Sequence, residues 1–177
     1  ISQGLGKIIQ KYNSKVKIEV IYNPIGSLPG RLINSSAKAK FIFVGRLDEY
    51  SKNLLFLFRV LKELESKEWQ LDIIGDGPDF KRYRNYIKKN GLSRCVSLLG
   101  FKENPFDDIA EATCLLLTSS YEGFPLVLVE AIEHGLPVIS ANCSTGPSEI
   151  VIPGINGFLY EPGNDKQLFA LLKDVID

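Results

Sequence analysis

The chain has 177 residues, 45% of them apolar and 24% charged, a composition that suits one compact domain and excludes a disordered or collagen-like polymer. Lys plus Arg and Asp plus Glu each number 21, so the net charge is zero. That excludes a general nucleic-acid binder, and any bound anion must meet a local cluster of cations. Cys95, Cys114 and Cys143 have no C-x-x-C spacing, which argues against a disulfide framework or zinc site and fits a reducing compartment. The longest apolar runs, Leu54–Phe58 and Phe124–Val129, fall well short of the roughly 18 residues of a membrane span.

In chain order, a helical pattern over Leu5–Tyr12 and a β-rich run over Lys17–Tyr22 come first. With no methionine even at position 1, residues 1–24 read as the tail of an upstream domain and a hinge, and 25–177 as the domain proper. Strands are predicted over Lys40–Gly45, Gln70–Gly75, Val96–Gly100, Cys114–Thr118 and Pro137–Ala141. Most are nearly continuous apolar runs, as in strands buried on both faces. A helix is predicted over Lys52–Ser66, with Leu54, Leu55, Phe58, Leu61 and Leu64 on one stripe. Another spans Pro78–Asn90, opened by a proline and stopped by Gly91. A third starts at Pro125 and ends at Gly135, and a fourth covers Asp165–Ile176. Alternation of this kind predicts an α/β fold, a Rossmann-like parallel sheet with helices on both faces. Ligands then bind beyond the carboxyl ends of the strands. The loops to read are Gly45–Ser51, Gly75–Gly77, Gly100–Pro105, Ser119–Pro125 and Asn142–Gly146.

Gly75-Asp76-Gly77-Pro78-Asp79-Phe80 opens like a dinucleotide fingerprint but lacks its third glycine, so a plain tight turn is expected. No P-loop and no Asp-x-Asp occurs. His134, the sole histidine, sits at a helix end where it can bond a carbonyl, so a structural role is expected and a Ser-His-Asp triad is not. The informative run is Ser119 to Glu130. Pro125 starts a helix there, leaving the Leu126 and Val127 amides for an anion, with Glu122 just before the helix and Glu130 about two turns in. The pair could reach opposite ends of one elongated ligand; viewed alone, it reads rather as one glutamate favoured by a helix dipole and one solvated on the exposed face. Arg46 and Lys52, six residues apart after the first core strand, change the balance. A helix terminus adds only about 0.3–1 kcal/mol to anion binding, so a diphosphate needs such cations. Glu149, in Gly146-Pro147-Ser148-Glu149, is expected to cap its own helix.

Taken together, Gly45-Arg46, Lys52, Ile74-Gly75-Asp76-Gly77-Pro78, Leu99-Gly100-Phe101, Glu122-Gly123-Phe124-Pro125 with Glu130, and Gly146-Pro147-Ser148-Glu149 resemble successive landmarks of the C-terminal half of GT4-type retaining glycosyltransferases of the GT-B fold. The resemblance runs from about residue 23 to residue 177, and finer runs look most like lipopolysaccharide-core hexosyltransferases. It implies a donor site for a nucleotide sugar, UDP-galactose or UDP-glucose. Gly45, Arg46 and Lys52 would hold the diphosphate. The amides around Gly123, Phe124, Pro125 and Leu126 would support the distal phosphate and sugar. Glu130 would accept from the ribose, Glu122 from the transferred hexose, and Phe101 and Lys102 would border the base. Glu122, Arg46 and Lys52 are the implied catalytic set, with no metal and no cofactor.

The implied partners are a UDP-hexose and a glycan or glycolipid acceptor, the latter met by an N-terminal domain outside this chain. The implied location is the cytoplasm, with room for peripheral contact at the inner face of the plasma membrane. The Cys-Ser-Thr-Gly-Pro-Ser loop departs from the paired glycines of many relatives. Two other readings are a GT-B epimerase, which would want more acid/base groups, and a non-catalytic sugar-nucleotide module, against which the intact Arg46, Lys52, Glu122 and Glu130 weigh.

Overall fold

The computed structural model describes residues 2–21, 38–64, 68–107 and 111–177. Six parallel strands form one sheet: β1 (Ala39–Val44), β2 (Trp69–Ile74), β3 (Val96–Gly100), β4 (Cys114–Leu117), β5 (Val138–Ala141) and β6 (Gly157–Tyr160). Their order is β3-β2-β1-β4-β5-β6. β1 registers on β2 from Ala39↔Trp69 to Val44↔Ile74, and on β4 through Phe41↔Cys114. Every residue of β4 and β5 is buried, which is why their sequences do not alternate. The described helices are α1 (Gln3–Tyr12), α2 (Glu49–Lys52), α3 (Leu54–Glu63), α4 (Phe80–Lys89), α5 (Leu126–Glu133), α6 (Pro147–Ile150) and α7 (Asp165–Ile176). Phe41, Phe43, Phe58, Trp69 and Tyr83 are the largest side chains fully buried between the layers.

Four expectations are corrected. The helix predicted over Lys52–Ser66 is two helices, because Asn53 takes the left-handed conformation (φ 52°, ψ 42°) and closes α2 before α3 begins. Asn tolerates that region better than other side-chain-bearing residues. Ser66 lies outside the described residues. The β-rich run Lys17–Tyr22 forms no strand over its described part; Ile18 and Val20 turn instead toward Gly6 of α1. β6 escaped prediction because it is an edge strand with Phe158 exposed and only three apolar residues after Gly157, whereas the equally short β4 and β5 are buried throughout. Finally, Pro125 precedes the helix instead of opening it: its ψ of 92° is extended, so α5 starts at Leu126.

The segments leaving β1 and β2 lie backbone against backbone. Leu47 N donates to Asp76 O at 2.9 Å, and Asp79 N donates to Leu47 O at 3.1 Å. A Cβ on Gly75 would fall 1.9 Å from Gly45 O, and one on Gly77 would fall 2.4 Å from Leu47 O. The glycines of this tight turn are therefore there for close approach. Gly75→Ala is expected to destabilise the fold by about 1–3 kcal/mol through overpacking. Gly123→Ala, whose Cβ would meet nothing within 4 Å, should leave stability nearly unchanged. Urea denaturation of both variants checks the contrast.

Candidate functional site

β1 and β4 are neighbours in the sheet but send the chain in opposite directions, to β2 and to β5. Their exit loops meet beyond the carboxyl edge. Ser120 N donates to Ser51 O at 2.9 Å, and Thr118 Oγ1 donates to Lys52 O at 2.8 Å. Across this junction the Lys52 ammonium meets Glu122 Oε1 at 2.6 Å, and Ser119 Oγ donates to the same oxygen at 2.6 Å. Only 18% of the Lys52 side chain and 13% of the Glu122 side chain reach solvent. From behind, Thr145 Oγ1 donates to Glu122 O. Gly146, at φ 95°, lets the Asn142–Gly146 loop close against Pro125; a Cβ there would fall 2.6 Å from Pro125 Cδ.

A polar frame sets where Lys52 stands. The Asp48 carboxylate accepts from Tyr50 N at 3.1 Å and so starts α2, while Asp79 Oδ2 accepts from Glu49 N at 2.8 Å. Glu49 Oε2 accepts from Leu55 N at 3.0 Å, which caps α3, and from the Tyr83 hydroxyl at 3.0 Å. Burial, reinforced by the Glu49 carboxylate, pushes the Tyr83 phenol far above its ordinary range, so it remains a donor. The left-handed Asn53 then fixes the end of the turn that carries Lys52.

Beside this junction lies an open cavity of about 600 Å³. Of the residues singled out in the sequence, Gly45, Arg46, Phe101, Lys102 and Glu130 line it. Lys52, from the β1 side, and Glu122, Gly123, Phe124, Pro125 and Leu126, from the β4 side, do not; they belong to the adjoining junction. The two are in touch, since a Cβ on Gly45 would fall 3.7 Å from Lys52 Cε. Arg46 is exposed and has no ion-pair partner among the described residues. Glu130 is the fifth residue of α5, so it sits just over one turn into the helix rather than two. Burial pushes its carboxyl above the ordinary range; neighbouring Glu133 adds to this and His134 opposes it. His134 has the structural role expected: its ring stacks on Phe106 at 5.0 Å, and Nδ1 lies 2.7 Å from Glu130 O.

Asp76 and Glu103 also line the cavity, and Ser119 and Thr145 hold Glu122 in place. Sequence reasoning missed all four. The turn around Asp76 was legible, but nothing in it shows which way the carboxylate faces. Glu149 does not cap its own helix. Its carboxylate accepts from Gln3 N at 2.7 Å and Gly4 N at 2.9 Å, fastening the first turn of α1 to the segment that backs Glu122. Among the described residues no three His, Cys, Asp or Glu side chains gather into a metal-ligand set.

This strand order, with a charged crevice where β1 and β4 part, defines the Rossmann-like α/β architecture of GT-B glycosyltransferases. Residues 31–177 match the family described as Glycosyl transferases group 1, and the chain belongs to that family. It is 39% identical over 185 aligned positions to the lipopolysaccharide 1,6-galactosyltransferase of Salmonella typhimurium, an alignment covering 99% of this chain and 51% of that protein. Among solved structures it resembles the apo form of the lipopolysaccharide outer core galactosyltransferase WaaB, with a TM-score of 0.89 and 36% identity over 99% of this chain and 51% of that one. It also resembles Anabaena HepE in complex with UDP, with a TM-score of 0.70 and 28% identity over 78% of this chain and 39% of that one. The chain thus spans about half the length of the lipopolysaccharide galactosyltransferases it matches.

The raised Glu130 carboxyl has a measurable consequence. In the native state it binds its proton more tightly than in the unfolded chain, so stability falls as pH rises through the window between those two values. Glu130→Gln removes this cost. The variant is expected to melt above the parent at pH 7, and the gap should close as pH drops below the carboxylate range. Thermal melts across a pH series read it directly.

Proposed function

We propose that the chain is the donor-binding half of a retaining hexosyltransferase, moving a hexose from UDP-galactose or UDP-glucose to a lipopolysaccharide-core or other surface glycan. Residues 1–24 are taken as the end of an acceptor-side domain and its hinge. The observation that carries the reading is the meeting of Arg46, Lys52, Glu122 and Glu130 where β1 and β4 part. The relatives support it: two are lipopolysaccharide 1,6-galactosyltransferases, and the HepE structure contains UDP.

On this reading the cavity takes the nucleoside. Phe101 and Lys102 border the base, and the Glu130 carboxylate accepts from the ribose hydroxyls. Arg46 and Lys52 hold the diphosphate. The Lys52 ammonium has three donors, so bonding to Glu122 leaves two for phosphate oxygens. The first-turn amides of Leu126 and Val127 support the distal phosphate. Glu122 accepts from the hexose, and Gly123, Phe124 and Pro125 shape the loop around it. In the transfer the bond from the anomeric carbon to the phosphate oxygen breaks, and the acceptor hydroxyl bonds to that carbon on the same face. Its proton passes to the departing phosphate. Charge developing on that phosphate is what the cations and amides stabilise, so electrostatics supplies most of the rate.

Two measurements test this assignment. Arg46→Ala or Lys52→Ala removes a charge-assisted contact, so UDP affinity should fall about tenfold to a hundredfold while uridine affinity barely changes. Equal losses for uridine and UDP would place these cations away from the phosphates. The second separates the carboxylates by calorimetry. Glu130→Gln should weaken UDP and UDP-hexose together, because an amide accepts more weakly than a carboxylate from the ribose. Glu122→Gln should leave UDP binding intact or tighter, since it releases Lys52, and should weaken only the contribution of the hexose. If Glu122→Gln weakens UDP as much as Glu130→Gln does, the hexose is misplaced.

A further inference from the structure

Two aromatic side chains stand in water at the junction that holds Lys52 and Glu122. Tyr50 of α2 is 81% exposed and Tyr121 of the loop after β4 is 46% exposed. Their rings nevertheless meet edge to face, with centroids 5.5 Å apart and planes at 66°. A singly exposed apolar residue needs no explanation. A pair brought together from two different elements does, because each element must be placed to make it.

The placement is specific. The backbone bond from Ser120 N to Ser51 O lies between the two partners in sequence. Lys52 follows Tyr50 by two positions on a helical turn, so the two side chains point about 200° apart. Exposure shows the same division, with the Lys52–Glu122 pair turned inward and the tyrosines outward. Neither tyrosine lines the 600 Å³ cavity. The field at Tyr121 includes the carboxylates of Asp48 and Glu122, which disfavour an anionic occupant such as a phosphate-rich polymer or an acidic bilayer. What fits is a neutral ligand with an apolar face for a ring and hydroxyls for the phenols and carboxylates. A pyranose has that form: C–H groups on one face and hydroxyls around the rim.

We propose that Tyr50 and Tyr121 form a saccharide seat for the acceptor glycan, outside the donor cavity. The assignment to the acceptor side rests on the donor placement above, with the hexose of the donor on the inward side at Glu122.

Aromatic ¹H–¹³C spectra of the chain test it, with UDP, UDP-galactose, and UDP plus methyl α-D-glucopyranoside as the three arms. The Tyr50 and Tyr121 ring signals should move with the glucoside and stay in place with UDP alone. Equal movement with UDP-galactose would make them a donor contact and overturn the acceptor assignment. No movement in any sugar arm, in a chain that binds UDP by calorimetry, would overturn the seat. Absence of UDP binding would instead sink the donor reading. In the full-length enzyme, Tyr50→Ala and Tyr121→Ala should each raise the KM for acceptor about tenfold, the loss expected for truncating a contact aromatic, with the KM for donor and the melting temperature unchanged. Tyr→Phe at either position should restore most of the loss. An unchanged KM for acceptor in both alanine variants overturns the proposal.

Discussion

Side by side at the centre of a parallel sheet, β1 and β4 must hand their chains to opposite flanks, one toward β2 and the other toward β5. With right-handed crossovers, the following helices fall on opposite faces, and the carboxyl ends of the two strands are left with a crevice that no helix fills. The candidate residues are arranged around that gap. Arg46 and Lys52 come from the β1 side, Glu122 and Glu130 from the β4 side, and the Lys52–Glu122 ion pair closes the distance between them. The strand order thus decides where charged residues can meet without being buried in the core.

The crevice is held to its shape mostly by backbone. Gly75 and Gly77 allow the β1 and β2 exits to touch main chain to main chain, and Ser51–Ser120 ties the β1 exit to the β4 exit. Side chains that are not themselves candidates then fix those that are. Glu49, Asp79 and Tyr83 set the short turn ending in Lys52, and Thr145 and Ser119 set Glu122. Such packed and hydrogen-bonded support keeps a binding constellation within the small tolerance that recognition needs. Glu149 extends the frame to α1, whose first turn is anchored on the segment that backs Glu122.

The core sheet was legible in the sequence because apolar runs of buried parallel strands stand out, and five of the six strands were found within a residue at each end. The sixth failed because an edge strand exposed at Phe158 lacks that continuous buried run. The candidate residues were legible where a loop follows a strand and supplies charge, as at Arg46 and Glu122. What could not be read was anything depending on a side chain's direction or on one backbone angle. Asn53 splits a helix that periodicity makes continuous, and the Lys52 ammonium, six residues from Arg46, turns to Glu122. Glu149 has the spacing of a local cap and serves a helix 145 residues away. Long-range satisfaction of helix amides leaves no trace in local sequence.

The charge arrangement also accounts for a neutral chain reading as an anion binder. Lys52 and Glu122 neutralise one another in a partly buried place, and Ser119 adds a donor to the same carboxylate oxygen. Arg46, exposed at the cavity and without an ion-pair partner among the described residues, supplies the uncompensated positive charge. Under the proposed reading, a diphosphate arriving at Arg46 draws on Lys52 without stripping it from Glu122, because the ammonium can serve both. The same carboxylate then faces the hexose with its orientation already set. Phosphate and sugar are thereby recognised by the two ends of one ion pair, so a ligand carrying both is held in a single register. A nucleotide alone can satisfy only the cationic end.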